Sequence, residues 1–98
     1  MGFAGIGGRM RYTSGTDWVD ITGAAERTMR ELIALDNEGL EKAHETMVAL
    51  TTDACFCDRD GKPVDWRGDV LGLTVQQWSW WKGRVWAAAR DERISPEV

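Results

Sequence analysis

The sequence predicts a mainly α-helical domain carrying a small β-hairpin, an α+β arrangement with the N-terminal hairpin packed on two or three helices. Three observations predict it. Arg9 to Ile21 alternates apolar and polar around a turn, apolar residues from Ala25 to Leu50 recur at helical spacing, and Thr74 to Gln77 spells a helix start.

The first segment reads as a hairpin. Tyr12 and Thr13 precede Ser14-Gly15-Thr16-Asp17, and Trp18-Val19-Asp20-Ile21 resumes the alternation. Trp18 then shares a face with Asp20, and Val19 with Ile21 on the other. A lone hairpin is marginal in water, so the Val19/Ile21 face is expected on the helices. Thr22 is a plausible N-cap for the next element, with Glu26 near the favourable end of the helix dipole. Ala25, Met29, Leu32, Leu40, Ala43, Met47 and Leu50 form the stripe, with a gap at Asp36.

Unbroken to Thr51, such a helix would be roughly 40 Å long at 1.5 Å per residue. A compact domain of this size has a radius of gyration of only about 13 Å. Asp36-Asn37-Glu38-Gly39 offers a break, with Asp36 able to cap a second helix. The favoured reading is a kink or short turn there; the alternative is an elongated, oligomeric molecule.

Cys55 to Val64 reads as a short strand or extended segment closed by an Asp60-Gly61 turn and Pro63, and Asp65 to Gly72 as a loop pinned by Trp66. In Thr74-Val75-Gln76-Gln77, Thr74 bonds forward and Gln77 back, and Leu73 and Trp78 form a hydrophobic staple around them. A helix therefore begins at Val75 and runs to about Asp91, with Pro96 ending any extension. At about 100° per residue, Trp78, Trp81, Val85 and Ala89 share a face, Ala88 lies at its edge and Trp86 flanks it. Trp80, Arg84 and Ala87 point nearly opposite, so a single core stripe leaves Trp80 unexplained.

The chain has 98 residues and a mass of 11.0 kDa, the size of one domain. Residues 1–8 are expected as a flexible Gly-rich arm, 9–93 as a single globular domain and 94–98 as a tail. At 43% hydrophobic and 29% charged the balance is globular. No apolar run approaches the roughly 18 residues of a membrane span, and the short apolar start is no signal-peptide core. Met1-Gly2 is followed by Ile6 where myristoylation wants Ser or Thr. Twelve Lys and Arg against sixteen Asp and Glu leave a net charge of −4, which argues against nucleic acid as partner.

Reaction chemistry is hard to find. Cys55-x-Cys57 with His44, the only histidine, invites a zinc reading, but a structural zinc site wants four ligands and only one tight pair exists. The two cysteines are too close for a comfortable disulfide and suit a reduced pair, a weak pointer to the cytosol. Asp58-Arg59-Asp60-Gly61 looks like a calcium loop, yet the first and last ligand positions would fall on Phe56 and Arg67. Gly5-Ile6-Gly7-Gly8 is no phosphate loop, and no nucleophile elbow or His-Glu-x-x-His occurs. The expectation is no catalytic residue, no metal and no cofactor.

The tryptophans remain. Six stand beside two phenylalanines and one tyrosine, and tryptophan is enriched among interface anchors. Trp80, with Arg84 one turn on, is the leading candidate for an exposed anchor; the competing reading folds the hairpin or the arm over it. Trp86, Trp66 and Trp18 complete the candidate partner-binding set.

The order of elements also carries a resemblance. An Arg11-Tyr12 strand, Gly15-Thr16-Asp17-Trp18-Val19-Asp20-Ile21, a polar helix opening at Thr22, an aromatic segment with Asp60-Gly61-Lys62-Pro63 and a helix after Leu73 follow one another. Over residues 11–73 this resembles small proteins encoded among the head and tail genes of long-tailed bacteriophages, especially those of actinobacteria. The Gly-rich arm and the Trp-rich last helix are not part of it. The resemblance implies a non-enzymatic role. Some of those proteins are tail assembly chaperones, which hold the tape-measure protein while tube subunits polymerise, and others are connectors or minor virion components.

The expected function is thus a phage assembly protein of the tail assembly chaperone kind, acting by protein–protein contact in the host bacterial cytoplasm. The alternatives are a permanent virion component forming a ring and a small module that binds a host factor. The expected partner is a phage tail or head protein or a second copy in a homo-oligomer, with neither nucleic acid nor membrane.

Overall fold

The alternating first segment forms the expected hairpin. In this computed structural model, which describes residues 10–90, β1 (Met10–Ser14) pairs antiparallel with β2 (Asp17–Ile21), Ser14 opposite Asp17. Gly15 takes φ 62° in the two-residue turn, a left-handed conformation that favours glycine. The arm at 1–8 and the tail at 94–98 lie outside the described residues.

A third strand, not foreseen, completes the sheet. β3 (Thr51–Cys55) pairs antiparallel with β2, giving the order β1-β2-β3. It follows α2 (Leu40–Leu50) with no intervening loop, so the expected helix end at Thr51 is the strand's first residue. The register slips between Asp20 and Ile21: Asp20 faces Asp53 while Ile21 faces Thr51. This bulge lets both Thr51 and Ala54 turn inward beside Ile21 and Val19.

The long helical stripe resolves into two helices. After a 3₁₀ turn at Ala24–Glu26, α1 runs Met29–Asn37 and α2 Leu40–Leu50. Thr22 is not the cap. Thr28 is, in a capping box with Glu31: the Glu31 N–H donates to Thr28 Oγ1 and the Thr28 N–H to Glu31 Oε1. The chain breaks at Glu38-Gly39, as favoured, but Gly39 caps α2 and Asp36 stays inside α1, where it receives Lys82 Nζ at 2.8 Å. Two separate helices have two phases, so Ala25, Met29 and Leu40 leave the core while Leu32, Leu35, Ala43, Met47 and Leu50 enter it. The break keeps the radius of gyration at 13.3 Å.

α3 (Val75–Ala89) starts as the sequence says, with both arms of the Thr74/Gln77 box formed, and ends at Ala89 before the Arg90 C-cap. It lies against the inner face of the sheet, the 3₁₀ turn and α2. The described residues are therefore α+β, a three-stranded antiparallel sheet with α3 on its inner face, α2 against α3 and α1 against α2.

Trp81 sits at the centre, fully buried, with its ring against His44, Phe56, Trp66 and Trp78 at centroid distances of 5.4–6.0 Å. Its Nε1–H donates to Thr51 Oγ1 at 3.0 Å, so the indole is satisfied and tied to the first residue of β3. Among the described residues no helix is long and apolar enough to cross a membrane.

Candidate partner-binding surface

Two clefts flank the start of α3, and Thr74 lines both. The first, of about 430 Å³, lies between the hairpin tip, the Cys57–Arg59 segment and α3, with Trp80 as its apolar wall. A compact network holds it open. Gln77 Nε2 donates to Asp17 Oδ2 at 3.1 Å and to the Cys57 carbonyl at 2.8 Å, and the Cys57 N–H donates to Asp17 Oδ1 at 3.0 Å. One glutamine thus caps the helix and joins it to hairpin and loop.

The second cleft, of about 270 Å³, is apolar. Leu40 at the start of α2, Val70 and Leu71 of the second 3₁₀ turn (Val70–Gly72), and Leu73, Val75 and Trp78 around the start of α3 line it with Thr74. Leu71 and Val75 are each 81% exposed and Leu40 44%. Single exposed apolar residues are common; here several converge on one groove.

The tryptophans singled out by sequence do not share a surface. Trp80 is half-buried, edge-on to Phe56 at 6.2 Å, and packs against the core. The hairpin residues Ser14 and Asp17 share its cleft, so the exposed-anchor expectation gives way to one close to the competing reading. The reason is the width of the buried arc: α3 buries Ala87 as well as Trp81, Val85 and Ala88, about half its circumference at 100° per residue.

Arg84 lies with its guanidinium carbon 5.6 Å from the Tyr12 ring centroid, and its buried Nε has no hydrogen-bond partner among the described residues. Trp86 is half-buried against the core. Trp66 is a core residue, 7% exposed, which removes it as a free anchor. Its Nε1–H donates to the Ala54 carbonyl, and the Arg67 guanidinium stacks on its ring at 4.4 Å while donating to the Thr52 carbonyl. Those two carbonyls belong to the outer edge of β3, so this pair closes a sheet edge that would otherwise invite another strand. Trp18 lies on the outer face of the sheet under the Arg11 guanidinium, 4.1 Å from its centroid.

The residues weighed for chemistry have structural partners. His44 Nε2 meets the Trp66 carbonyl at 2.6 Å. Asp58 Oδ1 accepts the N–H groups of Asp60 and Lys62, which folds the turn where Gly61 takes φ 80°. Cys55 and Cys57 are free thiols with sulfurs 4.0 Å apart. Burial above all, then the hydrogen bond to Cys57, pushes the Cys55 thiol above its ordinary pKa. Among the described residues no group of three or more His, Cys, Asp or Glu is placed to hold a metal ion.

Sequence reasoning missed the apolar groove. Leu40 was counted into the core stripe and Leu73 and Trp78 into the staple, while Val70-Leu71 passed as loop. The available signal was Val75, an apolar residue at the first helical position, close to the apolar Val70, Leu71 and Leu73. No family model matches the chain, and neither a curated protein nor a solved structure is found similar to it.

Proposed function

We propose that the chain is a non-enzymatic assembly protein that works by protein–protein contact, holding an apolar helical segment of a partner in the groove beside Trp78. The observation that supports this reading is the convergence of exposed Leu71, Val75 and Leu40 on one groove of about 270 Å³. A shallow apolar groove beside a helix start is suited to the anchor residues of an amphipathic helix. The sequence resemblance supplies the setting: a tail assembly chaperone of a long-tailed phage, acting in the host cytoplasm on the tape-measure protein.

The test is co-expression of the full chain with the tape-measure and tail-tube proteins of the phage that encodes it. The expected result is a complex with the tape-measure protein that Leu71→Ser with Val75→Ser abolishes, and a chain absent from purified mature particles. Retention in those particles would make it a permanent ring component. Binding to a host protein alone would make it a regulatory module.

A further inference from the structure

We propose that Cys55 and Cys57 form a reversible modification site, closing to an intramolecular disulfide when they meet a small-molecule disulfide such as oxidised glutathione. Their sulfurs already stand 4.0 Å apart on the same side of the strand, because alternate residues of an extended chain share a face. A disulfide needs about 2.05 Å, so the sulfurs must approach by roughly 2 Å. The backbone there is able to yield. Cys55 is the last residue of β3, and Cys57 lies beyond the strand, held by an isolated bridge to Pro63 and by the Asp17 and Gln77 side chains rather than by a strand ladder.

Both thiols are half-buried, and Cys57, a residue that also lines the larger cleft, is taken as the first to react. Its thiolate attacks one sulfur of the glutathione disulfide, breaking that bond, forming a mixed disulfide and releasing one glutathione thiolate. Cys55, whose thiol is pushed above its ordinary pKa by burial, acts second: it gives up its proton to solvent and attacks the Cys57 sulfur, expelling the second glutathione. Two electrons pass from the cysteine pair to the reagent, which leaves as two thiols. A ring spanning one residue is strained, and strained disulfides are the readily reduced ones. The product is therefore a switch rather than a staple.

Closing the switch reaches beyond the two sulfurs. The Cys57 N–H is bound by Asp17 and its carbonyl by Gln77, so drawing Cys57 toward Cys55 pulls on both the hairpin tip and the first turn of α3. This does not rest on the docking role.

The experiment is anaerobic equilibration of the full chain over a series of oxidised-to-reduced glutathione ratios, followed by acid quench, alkylation and intact mass. The expected product is a monomer lighter by two hydrogens with no alkylatable thiol, restored by excess reduced glutathione. Cys55→Ser is expected to stop at a single glutathione adduct on Cys57. Amide exchange at Cys57 and Gln77 is expected to rise several-fold in the oxidised form. Persistence of both thiols at the highest oxidised fraction, a stable glutathione adduct in the unmutated chain, disulfides between chains, or a disulfide that excess reduced glutathione leaves intact would each overturn the site. Unchanged exchange with the disulfide formed would overturn its coupling to α3.

Discussion

The Arg11 guanidinium grips the Asp20 carboxylate through two parallel hydrogen bonds, Nε to Oδ1 at 2.7 Å and Nη2 to Oδ2 at 2.9 Å, directly across the hairpin. Asp20 is only 2% exposed although it lies on the outer face of the sheet, where alternation alone predicts a solvated residue. Arg11 covers it while stacking on Trp18, and the hydrogen bond to Asp20 holds the guanidinium above its ordinary pKa. A planar fork makes both bonds and the stack at once, which an ammonium cannot do. Arg11→Met is expected to lower the melting temperature clearly, and Arg11→Lys to recover only a minor part of the loss. Full recovery by lysine, read by circular dichroism melting, would reduce the pair to simple charge attraction.

Trp81 and Trp80 are adjacent in sequence and unequal in structure. Trp81→Ala empties a fully buried site and removes the donor to Thr51 Oγ1, which keeps its own bond to the Met47 carbonyl, so a loss of about 3–5 kcal/mol is expected. Trp80 is half-buried with a single edge-on ring partner among the described residues, Phe56; Trp80→Ala is expected to cost about half as much, roughly 2 kcal/mol. Urea unfolding of both variants checks the ratio. Equal losses would place Trp80 in the same core as Trp81.

Glu31 links stability to pH. The backbone N–H of Thr28 binds its carboxylate and, as the leading cause, holds its pKa below the ordinary glutamate value. A folded pKa below the unfolded one means the unfolded state takes the proton first. The contribution is complete above the unfolded value of about 4.3 and disappears as pH falls through the folded one. Glu31→Ala is therefore expected to be less stable than the unmutated chain at neutral pH, with the gap narrowing as pH drops through that window. A gap independent of pH, measured by melting at a series of pH values, would show that the carboxylate's charge plays no part.

Local signals were legible and long-range ones were not. Ser14-Gly15-Thr16-Asp17 and Thr74-Val75-Gln76-Gln77 carry their turn and cap within four residues, and both form as read. Thr28-Met29-Arg30-Glu31 spells the same capping box and was overlooked because Thr22 stood at the start of the apolar stripe. β3 was hidden because Thr51-Thr52-Asp53-Ala54-Cys55 has no hydrophobic alternation. Only its pairing with β2 and the cover from Trp66 and Arg67 make it a strand. Trp80 and Trp86 are more enclosed than their helical phase suggests, half-buried against the core, because periodicity gives the direction of a side chain and not how far neighbouring segments wrap around the helix.

Gln77 shows a local rule overridden by tertiary structure. Glutamate is as good as glutamine at this position of an isolated capping box. Here, however, the amide uses both ends: Oε1 accepts the Thr74 N–H at 2.9 Å, and Nε2 donates to Asp17 and to the Cys57 carbonyl. Gln77→Ala removes a cap worth about 1 kcal/mol and leaves two part-buried acceptors without this donor, so a total loss of about 2–3 kcal/mol is expected. Gln77→Glu keeps the cap but sets a carboxylate against another carboxylate and a carbonyl oxygen, neither of which donates. At neutral pH it is expected to be no more stable than Gln77→Ala. The repulsion raises the new carboxyl's pKa in the folded state, so the folded form takes up the proton first and stability recovers as pH falls through the carboxyl range. Urea unfolding of the two variants at neutral and acidic pH separates the cases: a Gln77→Glu protein as stable as the unmutated chain at neutral pH would mean that the joint between α3, the hairpin and the Cys57 loop does not depend on the amide.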